Sequence, residues 1–261
     1  MSGKSTLPIG AHTDGGDPLE EMKERNADLV QIFLGDPQSW KTPPPRDDAA
    51  ALLGSGARIY VHAPYLMNPA SGNNRIRIPS RKTMAGAAAA AEAIGAAGLI
   101  VHGGHVEDDE DLAVGFERWR KALDTFESTV PILIENTAGG GNAVARELAN
   151  YGPLWEQIGD YNVGVVLDTC HAWAGGADLA TAVETLTAST GRLDLIHCND
   201  SRDPHNSRRD RHTALGSGMI PPEQLTEVVA AAGRPVVVET PGGAADHIAD
   251  ITWLRERLAT G

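Results

Sequence analysis

Residues 163–171 read V-G-V-V-L-D-T-C-H. Five apolar or small residues run without a polar break, then comes an acid, Asp168, and three residues later a histidine, His171. A strand with one wet face alternates polar and apolar positions, so an unbroken run implies a strand covered on both faces, as in a parallel sheet. The same shape recurs along the chain. Runs at 7–11, 29–33, 58–62, 99–102, 132–135, 193–197 and 236–239 join 163–167 to make eight predicted strands. Between them, helical patterns occupy 18–26, 80–97, 109–127, 178–188, 221–232 and 245–258. The first has Pro18 at its start and acids in its opening turn, both helix-start signals. Eight strand–helix units without a dividing linker predict an α/β fold of one domain over residues 1–261, a (β/α)8 TIM barrel. Pro43–45 marks a local break, and the glycines at 139–141 predict a mobile or tightly turning loop after the fifth strand.

Composition narrows the function classes. Aromatic residues make up only 5% of the chain, so the core must be built from Ala, Val, Leu and Ile. No apolar run reaches the roughly 18 residues of a membrane span, and residues 1–10 lack the apolar stretch of a signal peptide. Two cysteines, Cys170 and Cys198, exclude a disulfide framework and point to a reducing cytoplasm, each read as a small buried residue. A net charge of −13 argues against a non-specific nucleic-acid coat. A local anion site is still allowed, because basic residues cluster at Arg75, Arg77, Arg81 and Lys82 and again at Arg202, Arg208, Arg209 and Arg211.

Most of the predicted strands end on a residue that can ligate a metal. His62, His102, Glu135, His197 and Glu239 end runs three, four, five, seven and eight, and Asp168 follows run six. His171 is expected in the loop beyond Asp168, and Asp210 and His212 in the long loop after run seven. In a parallel barrel, strand ends and the loops that follow them form one rim, so these distant residues converge there. A single histidine at a strand end is ordinarily a hydrogen-bonded rim residue. The whole set is different, because nitrogen and carboxylate ligands together suit Zn²⁺ and, less selectively, Mn²⁺ or Fe²⁺. Nine ligands exceed the needs of one four-coordinate ion and suit two or three ions sharing a carboxylate. Three divalent ions would bring the net charge to about −7. His12 and His105 are expected near the site without ligating, and His205 and His247 on the surface.

Three motifs, I-E-N-T-A-G at 134–139, L-D-T-C-H-A-W at 167–173 and D-R-H-T-A-L-G at 210–216, stand in one order between G-A-H at 10–12 and E-T-P at 239–241. Together they resemble endonuclease IV, the apurinic/apyrimidinic (AP) endonucleases of the xylose-isomerase-like barrels. The resemblance implies three zinc ions, with Mn²⁺ as a substitute. His62, His102 and Glu135 would hold the first. Glu135 would bridge to the second, completed by Asp168, His197 and Glu239. His171, Asp210 and His212 would hold the third. It also implies a substrate, double-stranded DNA with abasic sites, cut 5′ to the lesion to leave a 3′-hydroxyl during base excision repair, and a monomeric enzyme. Glu135 would orient the attacking water, with Glu239 supporting it.

An abasic nucleotide must leave the stack to reach such a site, which costs less where a base is missing. Tyr65 and Leu66, in V-H-A-P-Y-L at 61–66, match residues that the family inserts into the gap. The loop G-D-P-Q-S-W at 35–40 carries Gln38 where the family commonly has Arg, which removes a charge and a stacking plane. Trp40 is a candidate for a second stacking residue or for a buried packing role, and Arg209 and Arg211 are expected to bind DNA phosphates. Two rival functions are weighed. A sugar isomerase or epimerase of the same barrel group would use Glu135, Asp168, His197 and Glu239 but would have no need for His171, Asp210 and His212. A silent lesion binder would hold abasic DNA without nicking it.

Overall fold

A computed structural model describes residues 7–260, so the first six residues of the stretch read for a signal peptide lie outside the described residues. The eight barrel strands are β1 (Ile9–Thr13), β2 (Leu29–Ile32), β3 (Arg58–His62), β4 (Gly98–His102), β5 (Ile132–Glu135), β6 (Val163–Asp168), β7 (Leu195–His197) and β8 (Val236–Val238). All are parallel, each pairs with its neighbours in sequence, and β8 closes onto β1. The predicted (β/α)8 barrel is therefore the observed fold. Each strand overlaps its predicted run, and no end differs by more than two residues.

Side-chain alternation builds the barrel interior in layers. Leu29, Tyr60, Ile100, Leu133, Val166, Leu195 and Val237 form one apolar cluster inside the barrel, separate from the larger core between strands and helices. Small residues below make room for it. A Cβ on Gly98 would stand 2.5 Å from Leu133 Cδ1, and one on Gly164 would stand 2.5 Å from Leu133 Cδ2.

The helices are α1 (Pro18–Glu24), α2 (Ala49–Gly54), α3 (Asn74–Ala93), α4 (Leu112–Leu123), α5 (Tyr151–Ile158), α6 (Thr169–Gly175), α7 (Leu179–Thr190), α8 (Pro222–Ala232) and α9 (Ala244–Thr260). Ala87, Ala88 and Ala91 of α3 are buried against the barrel, as the alanine-rich pattern implied. Two corrections apply to the helices. The helix expected from residue 80 begins at Asn74, capped by the Asn73 side chain on the Arg75 amide. Pro79 inside it removes one amide donor, and the Ser80 hydroxyl donates to the Ile76 carbonyl at 2.8 Å beside it. The short helices α2, α5 and α6 were not anticipated. His247, read as a surface residue, is buried. Its Nδ1 accepts from Arg25 Nε at 3.1 Å, and its Nε2 faces the Thr240 carbonyl at 3.0 Å. No helix among the described residues is long and apolar enough to cross a membrane.

Candidate metal centre

Two residues above the apolar layer, toward the carboxyl ends of the strands, every inward position is polar. From β1 round to β8 these positions carry His12, Gln31, His62, His102, Glu135, Asp168, His197 and, just beyond β8, Glu239. Register makes them neighbours: His102 lies opposite Glu135, and Asp168 opposite His197. Six of the nine candidate ligands thus come from one layer of the barrel. The strand period of two that puts the apolar residues inside puts these inside as well.

His171, Asp210 and His212 reach the same place from outside the sheet. Asp168 is the N-cap of α6, and its Oδ1 accepts the His171 amide at 2.6 Å. His171 therefore stands in the first turn of a helix, where a loop was expected. Side-chain capping three residues ahead is a normal helix start, and here it also sets the distance between two ligands. Asp210 and His212 come from the loop after β7, where Asp200–Ser201 pairs antiparallel with His212–Thr213.

Three groups of ligand atoms result. His62, His102 and Glu135 form one, and Glu135, Asp168, His197 and Glu239 a second, each within 4.8 Å. The two oxygens of Glu135 serve different groups. Oε2 lies 3.3 Å from both His62 Nε2 and His102 Nε2, while Oε1 lies 2.9 Å from His197 Nδ1. In the third, Asp210 lies 3.1 Å from His171 Nε2 and 3.2 Å from His212 Nε2. Asp168 borders it, with His212 Nε2 3.8 Å from its Oδ2. The buried Cys170 sulfur falls within 4.8 Å of the Asp210 and His212 ligand atoms.

The histidines show what this arrangement accommodates. Nδ1 of His62 faces the Ala63 carbonyl at 2.7 Å, and Nδ1 of His171 faces the Asn136 carbonyl at 2.9 Å. Nε2 of His197 faces Gln31 Oε1 at 2.8 Å. A proton on each of these nitrogens satisfies a neutral acceptor and leaves the other ring nitrogen, a lone pair, turned toward a carboxylate. Nε2 of His171 and of His212 are buried without a hydrogen-bond partner of good geometry, although Asp210 is close to both. Two facing acceptors repel unless a positive charge stands between them, and one ring nitrogen anchored on a neutral acceptor is the usual support for a metal-binding histidine. Among the described residues no lysine or arginine pairs with Glu135, Asp168 or Glu239, whose ion partners are all histidines. A buried cluster of acids without a cation is costly. The donor set therefore fits divalent metal ions of the zinc or manganese type.

The carboxylates also favour positive charge here, in the absence of an ion by drawing a proton onto the rings. Burial works against charge on His197, yet Glu239 and Glu135 outweigh it and push the ring up to about 10. Burial would raise the Glu135 carboxyl, but His197 and His102 hold it well below the usual range. His12 behaves oppositely. Burial, with His62 and His197 nearby and against the pull of Glu239, drops it to about 4, so it is a neutral ring beside Gln31 Nε2 at 3.0 Å.

Three amides that were not singled out hold the acids in place. Gln31 Nε2 donates to Glu239 Oε1 at 2.5 Å. Asn199 Nδ2 donates to Asp168 Oδ2 at 2.6 Å, and its Oδ1 accepts the Glu239 amide at 2.7 Å. Asn136 Oδ1 accepts the Asp168 amide at 2.7 Å. The available signal was a polar residue within or directly after a buried apolar run.

Above the ligands a cavity of about 420 Å³ opens, with Tyr65 and Leu66 on one wall and Gly139, Gly140 and Arg208 among its other lining residues. Tyr65 is 54% exposed, with its ring edge-on to Phe33, and its amide donates to the Pro37 carbonyl at 3.0 Å. That bond ties the Tyr65 loop to the loop carrying the exposed Gln38. Trp40, read as either a stacking or a buried residue, is 40% exposed. His105 is exposed and lines the cavity outside the ligand groups. His205 is exposed, as expected. Arg211 Nε and Nη2 grip Asp203 at 2.7 and 2.5 Å, and Arg209 lies 3.6 Å from the same carboxylate. The two residues expected to bind DNA phosphates therefore share their charge with Asp203.

The family model of xylose isomerase-like TIM barrels matches residues 19–257. The chain is 58% identical over 253 residues to the probable endonuclease 4 of Mycobacterium bovis, covering 97% of this chain and 99% of the relative. Its structure is similar to that of endonuclease IV from Thermus thermophilus, with a TM-score of 0.84 and 28% identity over 97% of this chain and all of the other. A D-tagatose 3-epimerase-like protein shares the fold, with a TM-score of 0.80 at 19% identity and coverage of 97% and 98%.

Proposed function

The chain belongs to the endonuclease IV family of AP endonucleases, within the xylose isomerase-like TIM barrels, and from that membership we propose a zinc-dependent reaction on double-stranded DNA. The bond cut is the phosphodiester 5′ to an abasic site, leaving a 3′-hydroxyl for repair synthesis. The observation that carries this reading is Asp210, 3.1 Å from His171 Nε2 and 3.2 Å from His212 Nε2, beside two histidines that also group with Asp168 next to the strand-borne sets. An epimerase-type site has no use for it, and the shared barrel alone does not decide between the activities.

Three zinc ions are the expected complement, with Mn²⁺ able to replace them. His62, His102 and Glu135 would hold the first, Glu135, Asp168, His197 and Glu239 the second, and His171, Asp210 and His212 the third. Bound there, the ions would neutralise phosphate oxygens, acidify water and stabilise the departing alkoxide. The chain's own residues do the positioning. Glu135 orients the attacking water and Glu239 flanks it, while Gln31 and Asn199 keep the Glu239 carboxylate from turning away. Tyr65 and Leu66 enter the gap left by the missing base, and Gln38 approaches the same duplex from the neighbouring loop. Arg209 and Arg211 stand on the opposite loop, their charge shared with Asp203. The whole chain works as one catalytic domain, as a monomer in the cytoplasm, with no membrane partner.

The test is a duplex with a single abasic-site analogue, labelled at either end. The reading expects one nick, on the 5′ side, with a product that a polymerase extends directly. A nick on the 3′ side, or a blocked end, would contradict it.

A further inference from the structure

The loop between β7 and α8 carries four arginines, Arg202, Arg208, Arg209 and Arg211, and the structure treats them differently. Arg209 and Arg211 converge on Asp203, and Arg211 does so through two hydrogen bonds. Arg208 has no carboxylate partner among the described residues, and it is exposed. It lines the cavity above the ligands, together with His102, His171 and Asp210. It also lines a second cavity of about 460 Å³ that continues past Gly175 to Arg146. Arg208 therefore stands at the junction of the two, across the first cavity's lining from Tyr65 and Leu66.

Its backbone is built for that place. Arg208 has φ of +57°, a left-handed conformation that ordinary residues rarely adopt, and Asn206 two residues before has φ of +59°. The amides of these residues donate to the carbonyls of Ala174 and Trp173 at 2.8 and 3.0 Å, so the loop is fastened across the carboxyl end of α6. On the other side the Arg208 carbonyl presses on Gly139, where a Cβ would come within 2.6 Å of it. A non-glycine residue kept left-handed costs free energy and persists where the surroundings impose it. Here that conformation holds a residue without a carboxylate partner among the described residues where two cavities meet, two residues before Asp210.

We propose that Arg208 is a substrate-positioning residue that grips the backbone phosphate next to the scissile one on the strand being cut. This rests on the abasic-DNA reading above. A planar guanidinium with several donors suits a phosphate, and one charge without a carboxylate partner beside the candidate ligand groups supplies local attraction in a chain of net charge −13. Arg209 and Arg211 contribute less, because Asp203 already neutralises part of their charge.

The test compares wild-type metal-loaded enzyme with Arg208→Asn, which keeps a residue tolerant of the left-handed backbone, and with Arg208→Lys. Metal content and Tm report on folding. Binding to an abasic-analogue duplex is measured against salt, and then with single neutral methylphosphonates placed at each phosphate around the lesion. Arg208→Asn should weaken binding and raise KM about tenfold, reduce the salt slope by about 1 and change kcat little, with Arg208→Lys intermediate. One neutral phosphate beside the scissile bond should weaken the wild type and leave Arg208→Asn unaffected. Equal responses of both proteins at every position, or a loss confined to kcat, would overturn the proposal. A wild type that neither binds nor nicks the abasic duplex would remove the reading beneath it as well.

Discussion

The two strand-borne groups of candidate ligands and the loop-borne third group are built by different means. In the first two, every ligand is an inward residue of the layer above the barrel's apolar plug, and Glu135, Asp168 and His197 are fully buried. Their spacing follows from strand register, and Gln31 and Asn199 lock the acids from within the same layer. The third group hangs from a helix cap and a long loop. His171 is placed by Asp168 as the N-cap of α6, while Asp210 has 52% of its side chain exposed. The strand-borne groups are thus held by the sheet that makes the core. The third depends on a loop fastened by the pairing of Asp200–Ser201 with His212–Thr213 and by the carbonyls at the end of α6. Residues on the barrel wall are preorganised at little extra cost, whereas a loop-borne site needs its own fastening.

That contrast can be broken most severely at the residue the first two groups share. Glu135→Gln should leave the fold intact and lower kcat by about 10³-fold or more, with loss of metal from both strand-borne groups. Circular dichroism, metal analysis and nicking on one preparation check this, and near-normal rates would contradict the role of Glu135. The loop-borne group should be separable. Asp210→Asn or His212→Ala is expected to cost about one ion per chain and about 10²-fold to 10³-fold in kcat, with Tm nearly unchanged because the barrel layer is untouched. Loss of all metal from either variant would show that the groups are not independent. Gln31→Ala tests the support of the barrel layer, with an expected loss of about 10-fold to 100-fold in metal affinity or activity, read by chelator competition. The smallest effect concerns DNA alone. Gln38→Arg should tighten binding to abasic duplex a few-fold and steepen the salt slope by about 0.9. An unchanged slope would mean that Gln38 does not face the phosphates.

The two regions were also unequally legible. Six ligands could be placed because each ends an apolar run, and a strand in a parallel barrel delivers its last residues to one rim. The run at 29–33 hid a seventh polar rim position, since Gln31 sits inside it with apolar neighbours on both sides. His171 was placed in a loop because α6 is only 7 residues long and starts on the ligand Asp168 itself, which leaves no room for a periodic pattern. Asp210 and His212 end no apolar run, and only the D-R-H spacing in the long loop after the seventh run marked them before the family resemblance grouped them with His171. The basic run at 208–211 could not be resolved from sequence either. Which arginine is free depends on where Asp203 lies, and that is a matter of tertiary contact. The start of α3 was missed because Pro79 reads as a helix boundary, while the Ser80 hydroxyl and the Asn73 cap accommodate it inside the helix.

The most direct test counts metal per chain and measures nicking of a single-lesion abasic duplex on the same sample, before and after chelation and again after adding back zinc. The account predicts close to three ions, a 5′ nick that disappears with the metal, and recovery on its return. One or two ions with no nick, or a nick that survives full removal of metal, would contradict it.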